Sequence, residues 1–303
     1  MTIPPYLSSG ATIGMVCPSG YLPLENVQNC IKAFESRGYK MRLGKTVGHQ
    51  HNYFSGTDAE RLADLQQMLD DDSIDAILCG RGGYGLSRII DQIDFTKFVK
   101  HPKWIIGFSD ITVLHAHIFS CFNIATIHAP MAAAFNHALS PNPYTGSLYT
   151  AIEGTSLQYT CNSHPFNKEG SVTGQVIGGN LTIIAHLVGS VSAFNTKDKI
   201  LFIEDIGEHL YNIDRMMFQL KRAGVLQHLK GLIVGGFTDM KDTTIPFGAS
   251  IQEIIYAHIK DYNYPVCFDF PVSHDTENYA IKVGCNYTLN ISKDVTVQLK
   301  EVI

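Results

Sequence analysis

The stretch Trp104-Ile105-Ile106-Gly107-Phe108-Ser109-Asp110-Ile111-Thr112 decides the fold class, because an apolar run passes through a glycine-containing turn into a second apolar run. Trp104 to Phe108 predicts a buried strand, and Ile111 to Phe119 predicts a helix. A strand that feeds a helix through a tight turn presents a side chain at the end of the sheet, as in a nucleophile elbow. Ser109 is therefore a candidate nucleophile. The alternative is that it only caps the helix, because Ser and Asp are favoured there.

Strand and helix patterns alternate on both sides of this stretch. Before it, the patterns predict strands at Thr12 to Cys17, Met41 to Leu43 and Ile74 to Cys79, and helices at Val27 to Arg37, Asp58 to Leu69 and Tyr84 to Ile90. After it, they predict strands at Gly174 to Ile177, Ile200 to Glu204, Leu232 to Gly235, Val266 to Phe270 and Thr288 to Leu299, and helices at Leu181 to Val188 and Ile213 to Ala223. Such alternation indicates an α/β fold with a mostly parallel sheet, whose functional groups lie at the carboxyl ends of the strands.

The chain length suits two domains, since its 303 residues are about twice the size of a common domain. Between Asn136 and Gly170 the sequence becomes rich in Pro, Gly, Ser and Asn and loses its periodicity, which is typical of a connection. We predict an N-terminal, mostly parallel α/β domain over residues 1–138, a connection over residues 139–172, and a mixed α/β C-terminal domain over residues 173–303.

The composition argues against several classes of function. A net charge of -5, with 23 scattered Lys and Arg residues, gives no electrostatic footprint for nucleic acid. No apolar run approaches the roughly 20 residues that span a bilayer, so no membrane partner is expected. Met1 to Gly10 lacks the basic residues of a secretory signal, which favours a cytoplasmic protein. Seven cysteines without a CxxC pair suggest neither a disulfide framework nor a zinc site, and no metal is expected.

A glycine loop, Gly80 to Gly85, follows the predicted strand at Ile74 to Cys79. Gly80, Gly82 and Gly85 satisfy GxGxxG, a pattern of dinucleotide sites. The loop does not belong to the first strand–helix unit, and no strand-ending acid follows about 20 residues later, which both argue against a nucleotide. The glycines could instead turn backbone N–H groups towards an anion, or could serve only a tight turn.

A nucleophilic serine needs a base, and the base needs an orienting group. His274 follows a predicted strand in a loop, where catalytic histidines are commonly presented. Glu204 ends a predicted buried strand and needs a partner, because an unpaired buried charge is costly. Ser109, His274 and Glu204 therefore form a candidate triad. The positions of four other histidines favour structural roles for them. These are His115, His117, His128 and His186, the last of which is predicted to lie in the core.

Six ordered motifs resemble those of the LD-carboxypeptidases, a family of serine peptidases that includes muramoyl-tetrapeptide carboxypeptidases and the microcin C self-immunity peptidase. The motifs are Val16-Cys17-Pro18-Ser19, Gly82-Gly83-Tyr84-Gly85 followed by Arg88, Gly107 to Thr112, Ile127-His128-Ala129-Pro130-Met131, Gly178-Gly179-Asn180-Leu181, and Leu201 to Asp205 followed by Ile213-Asp214-Arg215. The family usually has glycine where this chain has Ser273 and Ala129.

The resemblance implies a function and a role for each site residue. Ser109 would be the nucleophile, His274 the general base and then acid, and Glu204 the residue that orients His274. The backbone N–H groups of Gly83 and Asp110 would form the oxyanion hole.

The reaction implied is release of the terminal D-alanine from murein tetrapeptides during peptidoglycan recycling, by a homodimer that needs no cofactor. The enzyme must also bind a free carboxylate, and Arg81 is a candidate contact. Two alternatives stay open: a microcin-immunity-type peptidase that cleaves peptidyl-adenylates, and a non-enzymatic nucleotide-binding protein.

Overall fold

The computed structural model describes residues 1–136, 142–292 and 296–302, and in these residues helices alternate with the strands of two sheets. The strands are β1 (Thr12–Val16), β2 (Lys40–Leu43), β3 (Ala76–Cys79), β4 (Trp104–Gly107), β5 (Thr126–His128), β6 (Gln158–Asn162), β7 (Gly170–Asn180), β8 (Ile200–Ile206), β9 (Gly231–Thr238), β10 (Val266–Cys267), β11 (Ile281–Val283), β12 (Asn286–Ile291) and β13 (Thr296–Glu301). The α-helices are α1 (Gln28–Glu35), α2 (Asp58–Asp70), α3 (Thr96–Lys100), α4 (Thr112–Phe122), α5 (Pro143–Ile152), α6 (Leu181–Leu187), α7 (Leu210–Arg222) and α8 (Ile251–Ile259). The predicted α/β class is confirmed.

The chain forms two compact units. The first comprises Met1–Thr155 together with Tyr279–Lys282, and the second comprises Ser156–Asn278 together with Val283–Ile303. The domain boundary that the sequence predicts after residue 138 lies outside the described residues. Within the described ranges, no helix is both long and apolar enough to cross a membrane.

The first unit contains a six-stranded sheet in the order β11-β5-β4-β3-β1-β2. The five neighbouring strands β5, β4, β3, β1 and β2 run parallel. Every residue of β3 and β4 is buried, as expected for parallel strands covered on both faces. Val16 pairs with Cys79, and Leu78 pairs with Ile106. Because β1, β3 and β4 end at nearly the same level, the loops that follow them lie side by side.

The second unit contains a seven-stranded sheet in the order β10-β9-β8-β7-β12-β13-β6. The strands from β7 to β10 are parallel, whereas β12 pairs antiparallel with β7 and β13, and β13 pairs antiparallel with β6. This mixed sheet confirms the predicted character of the C-terminal half. The central strand β8 carries a β-bulge between Ile203 and Asp205, which turns the side chains at its carboxyl end.

The helix predicted at Tyr84 to Ile90 is wrong. The segment forms two short 3₁₀ turns, Leu86–Arg88 and Ile90–Gln92. Gly85, directly before them, has φ of +154°, a value that no α-helix contains.

Two further stretches differ from the predicted pattern. The stretch from Asn136 to Gly170 contains α5, which begins with Pro143 at its first turn and with Asn142 as its cap. Proline suits that position, since its missing N–H would be unbonded there in any case. The strand predicted from Thr288 to Leu299 is two antiparallel strands, β12 and β13, and the residues 293–295 between them are not described.

Candidate active site

Ser109 lies just beyond the carboxyl end of β4, where it follows an extended Phe108 and begins the 3₁₀ turn Ser109–Ile111 that leads into α4. Its φ is +64°, in the left-handed region that few residues other than glycine adopt. A strained serine after a buried strand and before a helix has the backbone geometry of a nucleophile elbow. In the described residues, neither N-cap position, Phe108 or Ile111, has a side-chain cap hydrogen bond. The geometry therefore does not support Ser109 as a helix cap.

The left-handed backbone predicts that Ser109→Gly is more stable than Ser109→Ala. Both variants lack the hydroxyl, but only alanine keeps the Cβ that makes φ of +64° unfavourable. We expect the glycine variant to have the higher free energy of unfolding by about 1 kcal/mol, measured by urea denaturation. The control pair is Ser120→Gly and Ser120→Ala on the exposed face of α4, where the order should reverse because glycine weakens helices. If the alanine variant were the more stable one at both positions, the backbone at Ser109 would not be strained.

The glycine loop approaches Ser109 closely. A Cβ on Gly82 would stand 2.8 Å from Ser109 Cβ and 3.1 Å from Ser109 Oγ. Gly20 N–H donates to the Gly82 carbonyl at 3.0 Å, and because the peptide is planar and trans, the N–H of Gly83 points to the opposite side. Gly83 has φ of +101°, which only glycine adopts without strain. The loop can thus bring backbone donors close to a reacting group, as an oxyanion hole requires.

The same loop lacks the feature that a dinucleotide site needs. In such sites a helix begins directly after the glycines, and its N-terminus binds the pyrophosphate. Here the segment after Gly85 is the 3₁₀ turn Leu86–Arg88. The GxGxxG match of Gly80, Gly82 and Gly85 therefore reflects close packing of a turn rather than the start of a nucleotide-binding helix.

The side chain of Asp110 is an addition to what the sequence predicts, since the prediction concerned only its backbone N–H. The carboxylate is buried and accepts hydrogen bonds from the Ser19 hydroxyl at 2.5 Å and from Leu86 N–H at 2.9 Å. Burial raises the pKa of this carboxyl above its ordinary value, although both hydrogen bonds oppose the shift. The Asp110 side chain thus connects the turn that carries Ser109 to the loops that follow β1 and β3.

Arg81 lies in the glycine loop with an exposed side chain. Its Nη1 donates to the Tyr21 carbonyl at 2.7 Å, which holds the guanidinium over the loop that follows β1. A role in binding a substrate carboxylate stays a prediction for this residue.

Glu204 and His274 contact each other in the second unit. Glu204 is fully buried in β8, and its Oε2 accepts a hydrogen bond from His274 Nδ1–H at 2.5 Å. A hydrogen bond at Nδ1 fixes the tautomer and leaves Nε2 as the nitrogen that can exchange a proton with a nucleophile or leaving group. The structure thus brings together the two residues that the sequence predicts as base and orienting acid.

Two glycines of β9 let the His274 segment pack tightly against the sheet. A Cβ on Gly235 would stand 2.1 Å from the Val272 carbonyl and 3.3 Å from Glu204 Cβ. Gly236 N–H donates to the same Val272 carbonyl at 2.9 Å. Sequence reasoning missed this pair, although adjacent glycines in a predicted strand indicate a close approach of another segment.

Ser273 takes the place where the resemblance implies glycine, and its side chain stabilises the turn. Its hydroxyl donates to the Glu277 carbonyl at 2.9 Å and accepts from Asp275 N–H at 3.0 Å. Its φ is not positive, so a side chain is tolerated. The departure from the family pattern is therefore accommodated by two local hydrogen bonds.

Two buried carboxylates set the charge around His274. Burial opposes its protonation, but the negative charge of Glu204, the hydrogen bond to it and the charge of Asp205 together raise the pKa of His274. Burial and the neighbouring charge of Glu204 also raise the pKa of Asp205, to about 6. Asp205 is held by Thr182, whose N–H and hydroxyl donate to it at 2.9 and 2.8 Å.

These pKa shifts predict the direction in which Glu204→Gln changes the titration of His274. Glutamine has a similar shape but no charge, so the imidazolium loses stabilisation and the pKa of His274 should fall. An NMR titration of the His274 ring measures the shift, and Asp205→Asn should move the pKa in the same direction through charge alone. A base must be neutral to accept a proton, so the acid limb of kcat/KM should move to lower pH with the same sign. An unchanged or higher pKa in Glu204→Gln would contradict this electrostatic account.

Two of the histidines to which the sequence gives structural roles, His115 and His186, differ in burial. His115 is fully buried and bonds the Gly107 carbonyl through Nε2 at 2.9 Å, and burial lowers its pKa to about 4. It is neutral at pH 7 and supports the turn before Ser109. His186, predicted to be in the core, is exposed. Across the described ranges, no group of three His, Cys, Asp or Glu side chains is arranged to hold a metal ion.

Comparison with known proteins finds two family models on this chain. The LD-carboxypeptidase N-terminal domain matches residues 13–129, and the LD-carboxypeptidase C-terminal domain matches residues 173–289. A protein of Bacillus subtilis named "Probable murein peptide carboxypeptidase" is 33% identical over 297 residues, which cover 97% of this chain and 93% of that protein. The "Murein tetrapeptide carboxypeptidase" of Pseudomonas aeruginosa is 26% identical over 282 residues, covering 90% and 91% of the two chains.

Solved structures have the same fold. The muramoyltetrapeptide carboxypeptidase from Oxalobacter formigenes has a TM-score of 0.88 and 26% identity, and the match covers 97% of this chain and 99% of that one. The microcin C7 self-immunity protein MccF, in complex with adenosine monophosphate, also has a TM-score of 0.88, at 21% identity over 100% of this chain and 99% of that chain. At that identity the second match shows a shared fold only.

Proposed function

The chain belongs to the LD-carboxypeptidase family, and from this membership we propose that it is a serine carboxypeptidase that releases the terminal D-alanine of murein tetrapeptides. The proposal takes its substrate class from the relatives of Bacillus subtilis and Pseudomonas aeruginosa, whose names refer to murein peptides. The proposed catalytic residues are Ser109, Glu204 and His274.

Acylation begins when Ser109 Oγ attacks the carbonyl carbon between the third residue and D-alanine. His274 Nε2 takes the hydroxyl proton, and Glu204 stabilises the imidazolium that forms. The backbone N–H groups of Gly83 and Asp110 bind the oxyanion of the tetrahedral intermediate. When the C–N bond breaks, His274 gives its proton to the departing amine of D-alanine, and the peptide remains as an ester on Ser109.

Deacylation repeats the same steps with water as the nucleophile. His274 removes a proton from water, the hydroxide adds to the ester carbonyl, and the proton then returns to Ser109 Oγ as the ester bond breaks. The products are a tripeptide with a free carboxylate and free D-alanine. Arg81 is our candidate for binding the carboxylate of the substrate's D-alanine.

The observation that carries this proposal is the left-handed backbone of Ser109, with φ of +64°, at the end of a buried strand. A serine that only began a helix would have no need of that conformation, which costs free energy and is common at functional sites. The close approach of Gly82 and the hydrogen bond between His274 and Glu204 support the same reading.

The microcin-immunity type of reaction is the nearest alternative, because the fold is shared with MccF. A peptidyl-adenylate substrate would favour an aromatic platform for its base. Trp104, the single tryptophan, is fully buried in β4 and stacks on Tyr6, so it cannot serve. Tyr53 and Tyr84 are exposed and offer aromatic rings for such a platform. An experiment must therefore distinguish the two substrates.

Incubation with a muramoyl tetrapeptide, followed by mass spectrometry of free D-alanine, tests the proposed function. We expect one D-alanine for each tripeptide formed. A peptidyl-adenylate in a parallel reaction distinguishes the two peptidase activities, and adenylate cleavage without D-alanine release would favour the alternative. Nucleotide binding by a protein that cleaves neither substrate would favour a non-enzymatic role.

A cytoplasmic location and a homodimer complete the proposal. The homodimer follows from the family resemblance alone, and the cytoplasmic location agrees with the proposed role in peptidoglycan recycling. Fractionation of cells and light scattering of the purified protein would test them.

A further inference from the structure

Arg61 is fully buried at the start of α2, and its guanidinium binds two loops at the carboxyl edge of the first sheet. Nη1 donates to the Pro18 carbonyl at 2.5 Å and to the Gly85 carbonyl at 3.1 Å. Nε donates to the Gly56 carbonyl at 3.3 Å, and Nη2 forms an ion pair with Asp58. Each nitrogen of the guanidinium therefore has a fixed partner.

The Asp110 carboxylate binds the next residue of each loop. Its Oδ2 accepts from the Ser19 hydroxyl, directly after Pro18, and from Leu86 N–H, directly after Gly85. Two dipeptides, Pro18-Ser19 after β1 and Gly85-Leu86 at the end of the glycine loop, are therefore each held by a cation on the first residue and by an anion on the second. We call Arg61 and the Asp110 side chain, with these two dipeptides, the loop clamp.

The loop clamp fixes the segment that carries Gly83. One end of the segment is held where Gly20 N–H, next to the clamped Ser19, donates to the Gly82 carbonyl at 3.0 Å. The other end is held at Gly85 and Leu86. Gly83 lies between these points, and Gly82 contacts Ser109.

A purely packing role does not explain the charge at position 61. Leu65 and Met68 lie on the same buried face of α2, and an apolar side chain would continue that face. Burying a guanidinium is costly unless its hydrogen bonds are all satisfied. Here the guanidinium donates to the Pro18 and Gly85 carbonyls, which belong to the loops that flank Gly83 and Ser109.

We propose that Arg61 and the Asp110 carboxylate are positioning residues, which hold the glycine loop so that the Gly83 N–H meets the oxyanion formed at Ser109. This inference rests on the proposed function, because it assigns the clamp to the oxyanion hole of that reaction. Neither side chain is assigned a contact with substrate.

The decisive variant is Arg61→Lys, which keeps the positive charge but loses the planar guanidinium, whose three nitrogens reach the Pro18, Gly85 and Gly56 carbonyls and the Asp58 carboxylate at once. We expect kcat to fall by about 10- to 100-fold with KM roughly unchanged, because a small misplacement of a catalytic group affects the transition state more than substrate binding. Asp110→Asn keeps an acceptor but loses the charge, and should also lower kcat. If the two act as one clamp, the double variant should lose less than the product of the single losses.

Arg88→Lys is the matched control. Arg88 is exposed and binds the same Asp58 carboxylate, with Nε 2.9 Å from both oxygens, but it does not donate to the Pro18 or Gly85 carbonyl that Arg61 binds. Its kcat should equal that of the unsubstituted protein. Equal kcat per folded molecule in Arg61→Lys and Arg88→Lys would overturn the proposal and leave Arg61 a purely structural role.

Hydrogen exchange separates failure of this inference from failure of the proposed function. Amides of residues 17, 19, 20 and 80–86 should exchange at least tenfold faster in Arg61→Lys than in Arg88→Lys, whether or not the protein cleaves a murein peptide. Unchanged exchange there would overturn the clamp even in an active enzyme. Faster exchange in a protein without peptidase activity would support the clamp and contradict the proposed reaction.

Discussion

Replacement of Ser109 by alanine is expected to lower kcat for release of D-alanine by about 10⁴-fold or more. In the proposed reaction the hydroxyl oxygen forms the acyl-enzyme, so its loss would remove the covalent route and leave only the contribution of binding and the proposed oxyanion hole. Binding of the tetrapeptide, measured by calorimetry, should stay roughly unchanged, because alanine fits the space of serine. The folded state should persist, since Ser109 caps no helix.

Ser120→Ala is the control for this prediction, because it makes the same change on the exposed side of α4. It should have the kcat of the unsubstituted protein. Turnover by Ser109→Ala above about 1% of that value would mean that another group performs the attack.

Replacement of Gly82 by alanine should have the second largest effect, with a loss of kcat of about 10²- to 10³-fold. The φ of Gly82 lies outside the left-handed region, so its backbone allows alanine. The added methyl group would stand 2.8 Å from Ser109 Cβ and 3.2 Å from the Phe108 carbonyl. Relief of these contacts must move either Ser109 or the glycine loop, and each movement would separate Ser109 from the proposed oxyanion donors.

Gly146→Ala is the matched control for Gly82→Ala. Gly146 lies in α5 with no atom within 4 Å of an added Cβ, so alanine should leave kcat unchanged and raise the free energy of unfolding by about 1 kcal/mol. If Gly82→Ala kept kcat within about threefold of normal, then the glycine loop would not need to lie against Ser109 during the reaction.

The parts of the fold that the sequence predicts well are those with strong local patterns. β3 and β4 are continuous apolar runs, and α2 begins with Thr57 and Glu60, which form a capping box. The errors occur where local signals conflict with packing. The sequence around Gly85 does not predict its φ of +154°, which ends the helical pattern. Pro143 resembles a helix breaker, although it starts α5.

The candidate site is predictable to a similar extent. Ser109, Glu204 and His274 each follow or end a predicted strand, which makes them candidates, whereas their grouping as a triad depends on the family resemblance. Arg61 could have been noticed as a charge on the apolar face of α2, but its partners, Pro18 and Gly85, are 43 and 24 residues away. Contacts between distant loops depend on the order of strands in the sheet, which the sequence pattern alone does not determine.

The central claim is that Ser109 is a nucleophile activated by His274, and labelling with a fluorophosphonate tests it most directly. Such reagents react with an activated serine, and mass spectrometry of the digested protein locates the modified residue. We predict one phosphonyl group per chain, on Ser109, and loss of labelling in His274→Ala. Labelling at another residue, or labelling of Ser109 at an equal rate without His274, would contradict the account.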